Sequence, residues 1–358
     1  MLSIFAPWGE ANPYQRELAR ALASLGVEVV PGRSAAYFPL LTAARASGSM
    51  PIILHLHWTH GFMVASSTFK TLVKGLRFLL ELAVLKLRGV KLVWTVHNLL
   101  EHERRHPLLE LMFTCIAVRF YDHLIVHSDY ARKAVMNTYR LSRRFKEKIT
   151  VIPHGHYLGC YENSISRSKA RQRLGIGEDE IVFLYIGQIR PYKGVPHLLE
   201  SFLKLDVPRI RLVVAGRPST GQLKEEIERK AEKDPRVVLR LEFIPDDELQ
   251  IYLNAADVVV LPYHDILTSG SAVLAMSFGR AVIAPRLGCV TEVIEEGKGG
   301  FLYDPADGDG LFKAMRKAIQ EDLSAMGDYN LRKARELDWT RIAEATLEVY
   351  RRCLRQTG

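Results

Sequence analysis

The stretch Ile181-Val-Phe-Leu-Tyr-Ile186, followed at once by Gly187-Gln-Ile-Arg190-Pro-Tyr-Lys193-Gly194, decides how this chain is read. The first six residues are almost wholly apolar, the pattern of a parallel strand buried on both faces. Val195–Leu205 is apolar and amphipathic and predicts a helix. A glycine turn carrying two cations therefore sits where a strand hands over to a helix. At that point of an open α/β sheet, loop N–H groups and the helix N-terminus favour an anion. Arg190 can fork onto phosphate oxygens, and Lys193 adds a mobile point charge. A surface turn with solvated cations is the plainer alternative. Gly194 follows Lys193 where a Walker loop needs Ser or Thr, so a magnesium-nucleotide loop is not expected.

Outward from this turn the same alternation continues. Strand candidates in the second half are Arg211–Ala215, Val237–Leu241, Val258–Leu261, Ala281–Ala284 and Gly300–Tyr303. The first half offers Leu2–Phe5, Ile52–His57, Leu92–His97, Leu124–His127 and Ile149–Ile152, separated by helix-like stretches such as Tyr14–Leu25 and Leu108–Tyr121. Strands alternating with helices predict parallel sheets covered on both faces. The polar, Ser- and Arg-rich Tyr157–Arg173 reads as a linker. The expected division is 1–156, a linker 157–173, a second domain 174–338 and a last segment 339–358. A chain of 358 residues accommodates two cores, and two such halves suggest a ligand cleft.

The four cysteines are scattered, without a CxxC pair, which predicts free thiols in a reducing, cytoplasmic compartment and no structural zinc. Met1-Leu-Ser-Ile-Phe lacks a charged leader and reads as a first strand. Leu72–Val93 is apolar but interrupted by Lys74, Arg77, Glu81, Lys86, Arg88 and Lys91, so it is not a bilayer span. It reads either as an interfacial helix, peripheral on the inner face of the plasma membrane, or as a core-facing helix with its cations in water. The net charge of +9 favours anionic partners. No aromatic-interleaved basic ladder points to nucleic acid, so a phosphorylated ligand and an acidic membrane surface are expected instead.

Read in order, the second half resembles the nucleotide-sugar domain of a GT-B glycosyltransferase of family 4. The resemblance is carried by Leu174-Gly-Ile-Gly, Gly187–Gly194, Leu212-Val-Val-Ala-Gly216, Ala255-Ala-Asp257 through Pro262, Ala275-Met-Ser-Phe-Gly-Arg-Ala-Val-Ile-Ala284, Gly288 through Glu292 and Gly299 through Pro305. It implies an α/β fold of two Rossmann-like parallel-sheet domains with a cleft between them, and a tail helix near Trp339–Tyr350 returning to the first domain. One departure matters. Family 4 carries two glutamates separated by seven residues, and here Ile266 and Leu274 hold those positions. An aliphatic chain accepts no hydrogen bond from a ribose or sugar hydroxyl. In that place stand Thr268, Ser269, Gly270 and Ser271, which read as a diphosphate cradle or as a plain serine N-cap. The variant resembles a bacterial exopolysaccharide subgroup with lipid-linked mannosyltransferases.

In the first half, the resemblance implies that His97 approaches the donor sugar. Should transfer invert, a base is needed, and Glu101, Glu103, His97 or, in the second half, Asp265 could serve, with solvated loop carboxylates as the alternative. His55, His57 and His60 lack a carboxylate or cysteine to complete a metal site, and Trp58 is a candidate stacking platform. His127, Ser128, His154, Gly155 and His156 end two further strands, and Trp8–Pro13 is a candidate acceptor contact. Asp307-Gly-Asp309 spells a metal-nucleotide signature but reads as turn and N-cap chemistry.

The expected activity is transfer of a sugar from a nucleoside diphosphate sugar to a glycan or polyprenyl-diphosphate-linked acceptor in cell-surface polysaccharide synthesis. The expected donor residues are Gly187, Arg190, Lys193, Thr268, Ser269, Gly270, Ser271 and Glu292. His97, Glu101, Asp265, Arg190 and Lys193 are expected to be catalytic. No metal and no cofactor beyond the donor substrate is expected, and family membership implies retention at the anomeric carbon. A sugar epimerase or phosphorylase on the same fold, or a non-catalytic nucleotide-sugar binder, are the alternatives.

Overall fold

The computed structural model describes residues 1–9, 13–32, 37–45, 52–101 and 103–355. The chain divides into two units, one of Met1–Gly155 with Asp338–Gly358 and one of His156–Leu337.

In the first unit six parallel strands stand in the order β2-β1-β3-β4-β5-β6. They are β1 Leu2–Ala6, β2 Glu28–Pro31, β3 Ile53–Leu56, β4 Lys91–Thr95, β5 His123–Val126 and β6 Ile149–Val151. β3, β4 and β5 are buried along their whole length, as strands covered on both faces must be. β2 was not anticipated, because Glu28-Val-Val-Pro31 is a short, half-exposed edge strand without a continuous apolar run. The final helix Trp339–Arg355 packs on the helix Pro13–Ser24 in this unit. It buries Trp339, Ile342, Tyr350 and Cys353 on one face. Gly155 is where Trp339 lies: a Cβ there would sit 2.4 Å from the indole ring.

The second unit has six parallel strands in the order β12-β11-β10-β7-β8-β9. They are β7 Ile181–Ile186, β8 Ile210–Ala215, β9 Val237–Arg240, β10 Val258–Val260, β11 Ala281–Pro285 and β12 Gly300–Tyr303. The chain starts in the middle at β7, runs outward through β8 and β9, then returns to the other side through β10. The β7/β10 boundary is therefore the topological switch point, where the loops after adjacent strands diverge and leave a crevice.

The segment read as a linker belongs to this unit and is not free. Ser166 caps a helix Arg167–Leu174 by accepting the Lys169 N–H, and Gly175 ends it at φ 67°. Arg171 is fully buried. Its guanidinium donates to Asp257 at 2.8 Å and to the carbonyls of Ala255, Gly177, Glu178 and Glu180. The Ser- and Arg-rich composition read as a linker; the four carbonyls and one carboxylate around Arg171 show instead what its guanidinium donors hold together.

Candidate functional site

The turn after β7 is held by backbone constraints. Gly187 has φ 127°, and a Cβ on Gly216 after β8 would lie 1.9 Å from the Gly187 carbonyl oxygen. Only glycine allows these two loops to lie so close. Pro191–Lys193 forms a 3-10 turn, and Gly194, at φ 66°, opens the helix Val195–Leu203. A Cβ on Gly194 would sit 2.0 Å from the Pro262 carbonyl oxygen, and His264 N–H donates to the Tyr192 carbonyl at 2.8 Å. The loops after β7 and β10 are thus in contact at the switch point.

This contact gathers Arg190, Tyr192, Lys193, Tyr263 and Asp265. The Lys193 ammonium lies 5.3 Å from the Tyr263 ring centroid. Burial holds its pKa below the ordinary lysine value. Arg190 donates to the Gln188 amide oxygen at 3.0 Å. Among the described residues neither cation has a carboxylate within ion-pair distance. Tyr192 has a raised pKa, chiefly from burial, with the exposed Asp265 contributing. Two cations with no carboxylate partner, one of them desolvated, make a site prepared for an anion.

The Thr268–Ser271 stretch has two functions to divide. Ser269 is the N-cap of the helix Gly270–Ser277, accepting the Ala272 N–H at 3.1 Å. Its hydroxyl and that of Ser271 also meet the Tyr263 phenol, whose pKa burial pushes up to about 12. The N-cap alternative is therefore present, and these two hydroxyls are already engaged. What the helix offers an anion is its first-turn N–H groups at Gly270 and Ser271, which have no intrahelical acceptor. The Thr268 hydroxyl is buried and has no partner among the described residues. Gly270 has an ordinary helical backbone, so its freedom concerns close approach and not φ. Leu274 is only half-buried against the core. Gly288, at φ 58°, packs on Ile266: a Cβ would lie 2.2 Å from the Ile266 carbonyl oxygen. Glu292 follows on the short helix Val290–Val293 and is exposed.

The Asp307–Asp309 signature is spent on local structure. Asp309 N–H donates to Asp307 at 3.0 Å, Lys313 pairs with Asp307 at 2.6 Å, and Lys204 pairs with Asp309 at 2.7 Å. Asp309 occupies the N-cap position of the next helix without capping it.

The strand ends of the first unit join into one chain the histidines that were read above as separate residues. His127 Nδ1 is 2.9 Å from the Ile152 carbonyl oxygen, which can only accept, so Nδ1 carries the proton. His127 Nε2 is then an acceptor for His97 Nδ1 at 3.4 Å. His97 Nε2 in turn accepts from His57 Nδ1 at 3.2 Å. The tautomers are thereby assigned along the row, and His57 Nε2 is left as a buried acceptor with no partner. His55 lies beside it, bound to Tyr350 at 2.6 Å and Thr95 at 2.7 Å. Tyr14 makes edge contacts with several of these rings, and Trp58 stacks on His97 at 4.4 Å between centroids. Burial lowers the pKa of His55 and His154 to about 3 and of His127 to about 4, and drives His57 and His97 well below the ordinary value. His97 is therefore neutral, with both ring nitrogens facing other histidines. As placed, it offers no free nitrogen to a reacting hydroxyl. No group of three metal-ligating side chains is assembled among the described residues.

A residue missed in the sequence stands next to this row. Glu110, in the first turn of the helix Pro107–Ala117, is buried, and both its oxygens accept the Glu101 N–H at 2.9 and 3.0 Å. Burial pushes its pKa up to about 7. Glu110, His57, Trp58, His60 and Asn98 line a cavity of about 10 Å³, room for one water-sized group. Glu101 itself lies 3.8 Å from Arg105 and keeps one buried oxygen without a partner, while Glu103 is paired with Arg105. Residues 10–12 of the Trp8–Pro13 loop lie outside the described residues. Gly9 N–H donates to Gln15 at 2.7 Å.

Two family models match the chain: Glycosyltransferase Family 4 over residues 74–157 and Glycosyl transferases group 1 over residues 166–334. A protein of Xanthomonas campestris pv. campestris, named GDP-mannose:glycolipid 4-beta-D-mannosyltransferase, is 30% identical over 315 residues, spanning 86% of this chain and 81% of its own. The chain belongs to the family 4-like GT-B glycosyltransferases. The sucrose-phosphate synthase of Thermosynechococcus elongatus matches the fold with a TM-score of 0.73 at 20% identity, over 99% of both chains. Anabaena Alr3699/HepE, solved in complex with UDP and glucose, matches with a TM-score of 0.72 at 17% identity, over 97% of this chain and 98% of that one. This glycosyltransferase moves sugars, and neither an epimerase or phosphorylase nor a non-catalytic binder is favoured.

Proposed function

We propose that this glycosyltransferase takes a sugar from a nucleoside diphosphate sugar and transfers it to a lipid-linked glycan at a membrane surface, in cell-surface polysaccharide synthesis. The observation that carries the donor half is the pair Arg190 and Lys193, which converge at the switch point without a carboxylate partner. A diphosphate is the counter-ion this arrangement lacks. As the glycosidic bond breaks, negative charge grows on the departing diphosphate. Arg190, Lys193 and the N–H groups of Gly270 and Ser271 stabilise it without reorganisation. Gly187 and Gly194 keep the backbone close enough for those donors to reach, and Thr268 adds an unpaired hydroxyl. Glu292 is the acidic residue proposed for a donor hydroxyl. Because fixed cations serve the diphosphate, and the Asp307 and Asp309 carboxylates are taken by lysines, the reaction is proposed to be metal-independent.

The acceptor half rests on the relative's printed glycolipid acceptor and on the polar, aromatic strand ends of the first unit. Trp58 stacked on His97 supplies a ring face for a sugar, and His57 Nε2 can accept from a hydroxyl. Retention is the family-based reading and requires no base there. A β-linked product from an α-linked donor, by contrast, is inverted and needs one. Glu110, with its pKa near neutrality, then suits the task better than Glu101 or Asp265.

The experiment is a panel of GDP-, UDP- and ADP-sugars incubated with polyprenyl-diphosphate glycans in EDTA. Extension of the lipid-linked glycan by one sugar supports the reading. Donor isomerised without transfer, or activity that EDTA removes and Mg²⁺ or Mn²⁺ restores, contradicts it.

A further inference from the structure

The helix Thr68–Leu87 is apolar on two opposite sides. Phe78, Leu82 and Leu85 are buried in the first unit. On the other side Phe69, Val73, Leu76, Leu80 and Leu87 follow one another at spacings of four, three, four and seven residues. A helix of 3.6 residues per turn lines these up in one stripe. Phe69 is 73% exposed, Leu76 and Leu80 56% each, and Leu87 88%. A helix on a soluble surface turns charged residues to water on that side.

The stripe is not alone. The ring of Phe113, from the helix Pro107–Ala117, occupies the space a side chain at Gly75 would need, with a Cβ there only 2.2 Å from it. The two helices therefore lie tightly side by side. Leu108, Met112 and Ile116, at successive intervals of four, are exposed too, Leu108 by 82%. Nine of the exposed large apolar side chains, counting Leu72, thus belong to two adjoining helices.

The cations that made this segment look electrostatic are mostly committed to the interior. Lys74 donates to the carbonyls of Gly61 and Val64, Arg77 lies 3.8 Å from Glu81, and Lys86 binds Asp122 at 2.6 Å. Lys91 is buried in β4, 4.0 Å from the same aspartate. Lys70 and Arg88 remain exposed, one near each end of the stripe. No helix among the described residues is long and apolar enough to cross a membrane.

We propose that this two-helix face inserts into the headgroup–acyl boundary of an anionic bilayer, with Lys70 and Arg88 at the phosphates. It takes from the proposed function only the reason for docking, access to a lipid-linked acceptor; its geometry is independent. Charge complementarity selects a lipid surface over a second copy of the chain, since two copies would bring like charges together at the ends of the stripe. Most of the attraction is apolar, so salt weakens binding without abolishing it.

The test is flotation of the full chain with phosphatidylcholine vesicles containing phosphatidylglycerol, at 0.1 and 1 M NaCl. Wild type is expected to float at both salts, with less than a fivefold loss at 1 M. The double variant Leu76→Glu/Leu80→Glu is expected to lose at least tenfold at both, with an unchanged melting temperature because both sites are exposed. Wild type that stays at the bottom, or a double variant that floats like wild type, overturns the proposal. So does a vesicle-free dimer that the double variant converts to monomer without any change in flotation. Calorimetric titration with the donor panel is run on the same samples. Flotation without donor binding contradicts the proposed function and leaves this face intact; donor binding without flotation does the reverse.

Discussion

The Lys193 ammonium stands 5.3 Å from the centroid of the Tyr263 ring, so the loop after β7 rests its cation on the loop after β10. The Tyr263 phenol is meanwhile tied to Ser269 and Ser271 at the start of the helix Gly270–Ser277. Tyr263 thus joins both proposed diphosphate-binding elements. Tyr263→Phe keeps the ring under the cation and removes only the hydroxyl. It should cost about 1 kcal/mol of stability while donor affinity changes less than threefold. Tyr263→Leu removes the ring as well and should weaken donor binding by a further ~0.5–2 kcal/mol. Thermal melts and donor titrations of the two variants check this; equal donor affinity in both would detach Tyr263 from the site.

Arg171 should be among the most sensitive positions in the second unit. It is fully buried, and its removal withdraws a charged donor from four carbonyls and from Asp257, which keeps only Arg167 and the Val182 N–H. Arg171→Ala should destabilise by about 3–5 kcal/mol, measured by urea denaturation. A loss under 1 kcal/mol would mean that the 167–174 helix is an independent appendage.

The strand that opens the second unit, its glycine turn and the following helix were legible because each carries a local signal: a six-residue apolar run, then glycines, then helical spacing. The expected strands lie within two residues of the observed ones. Besides the edge strand β2, three things were not legible. Arg171 lay in a segment read as a linker, because composition cannot show that four carbonyls and a carboxylate converge on it. The histidine row joins residues from β3, β4 and β5 and the loops after them, and only the parallel register brings their rings together. Glu110 sits in a helix first turn, where a carboxylate is ordinary, and its burial comes from the loop that folds over it.

Acid should destabilise the protein from about pH 6.5 downward, where unfolded histidines begin to bind protons. His55 and His154 titrate at about 3 and His127 at about 4 when folded, against about 6.5 unfolded. Between those values the unfolded chain binds protons that the folded chain refuses. Their contribution is full above about pH 6.5 and is lost as pH falls toward 4, by up to ~1.4 kcal/mol per unit for each group. His57 and His97 act in the same direction. Glu110, raised to about 7, opposes them: the stability it lends is present in acid and lost as pH rises through 7. Five histidines outweigh it, so the melting temperature should fall steadily from pH 7 to pH 5. A flat or rising profile over that range would show that the row is hydrated and not buried.

The same carboxyl separates the two stereochemical courses. Glu110→Gln can still accept the Glu101 N–H through its amide oxygen, so the loop should hold and the melt should stay near normal. If transfer inverts, kcat should fall by about 100-fold or more, and the limb of the pH–rate profile near 7 should vanish, with little change in donor KM. If transfer retains, kcat should stay within a few-fold and the limb should persist. An unchanged limb, with a product of retained configuration by NMR, removes Glu110 from the chemistry.

The central claim is that Arg190 and Lys193 hold the donor diphosphate, and calorimetric titration of wild type, Arg190→Ala and Lys193→Ala with the GDP-, UDP- and ADP-sugar panel tests it most directly. One donor should bind wild type, and each substitution should weaken binding or turnover by about 2–4 kcal/mol, roughly 30- to 1,000-fold, with near-normal melts. Wild-type affinity and turnover in both variants would contradict the account and put the diphosphate elsewhere.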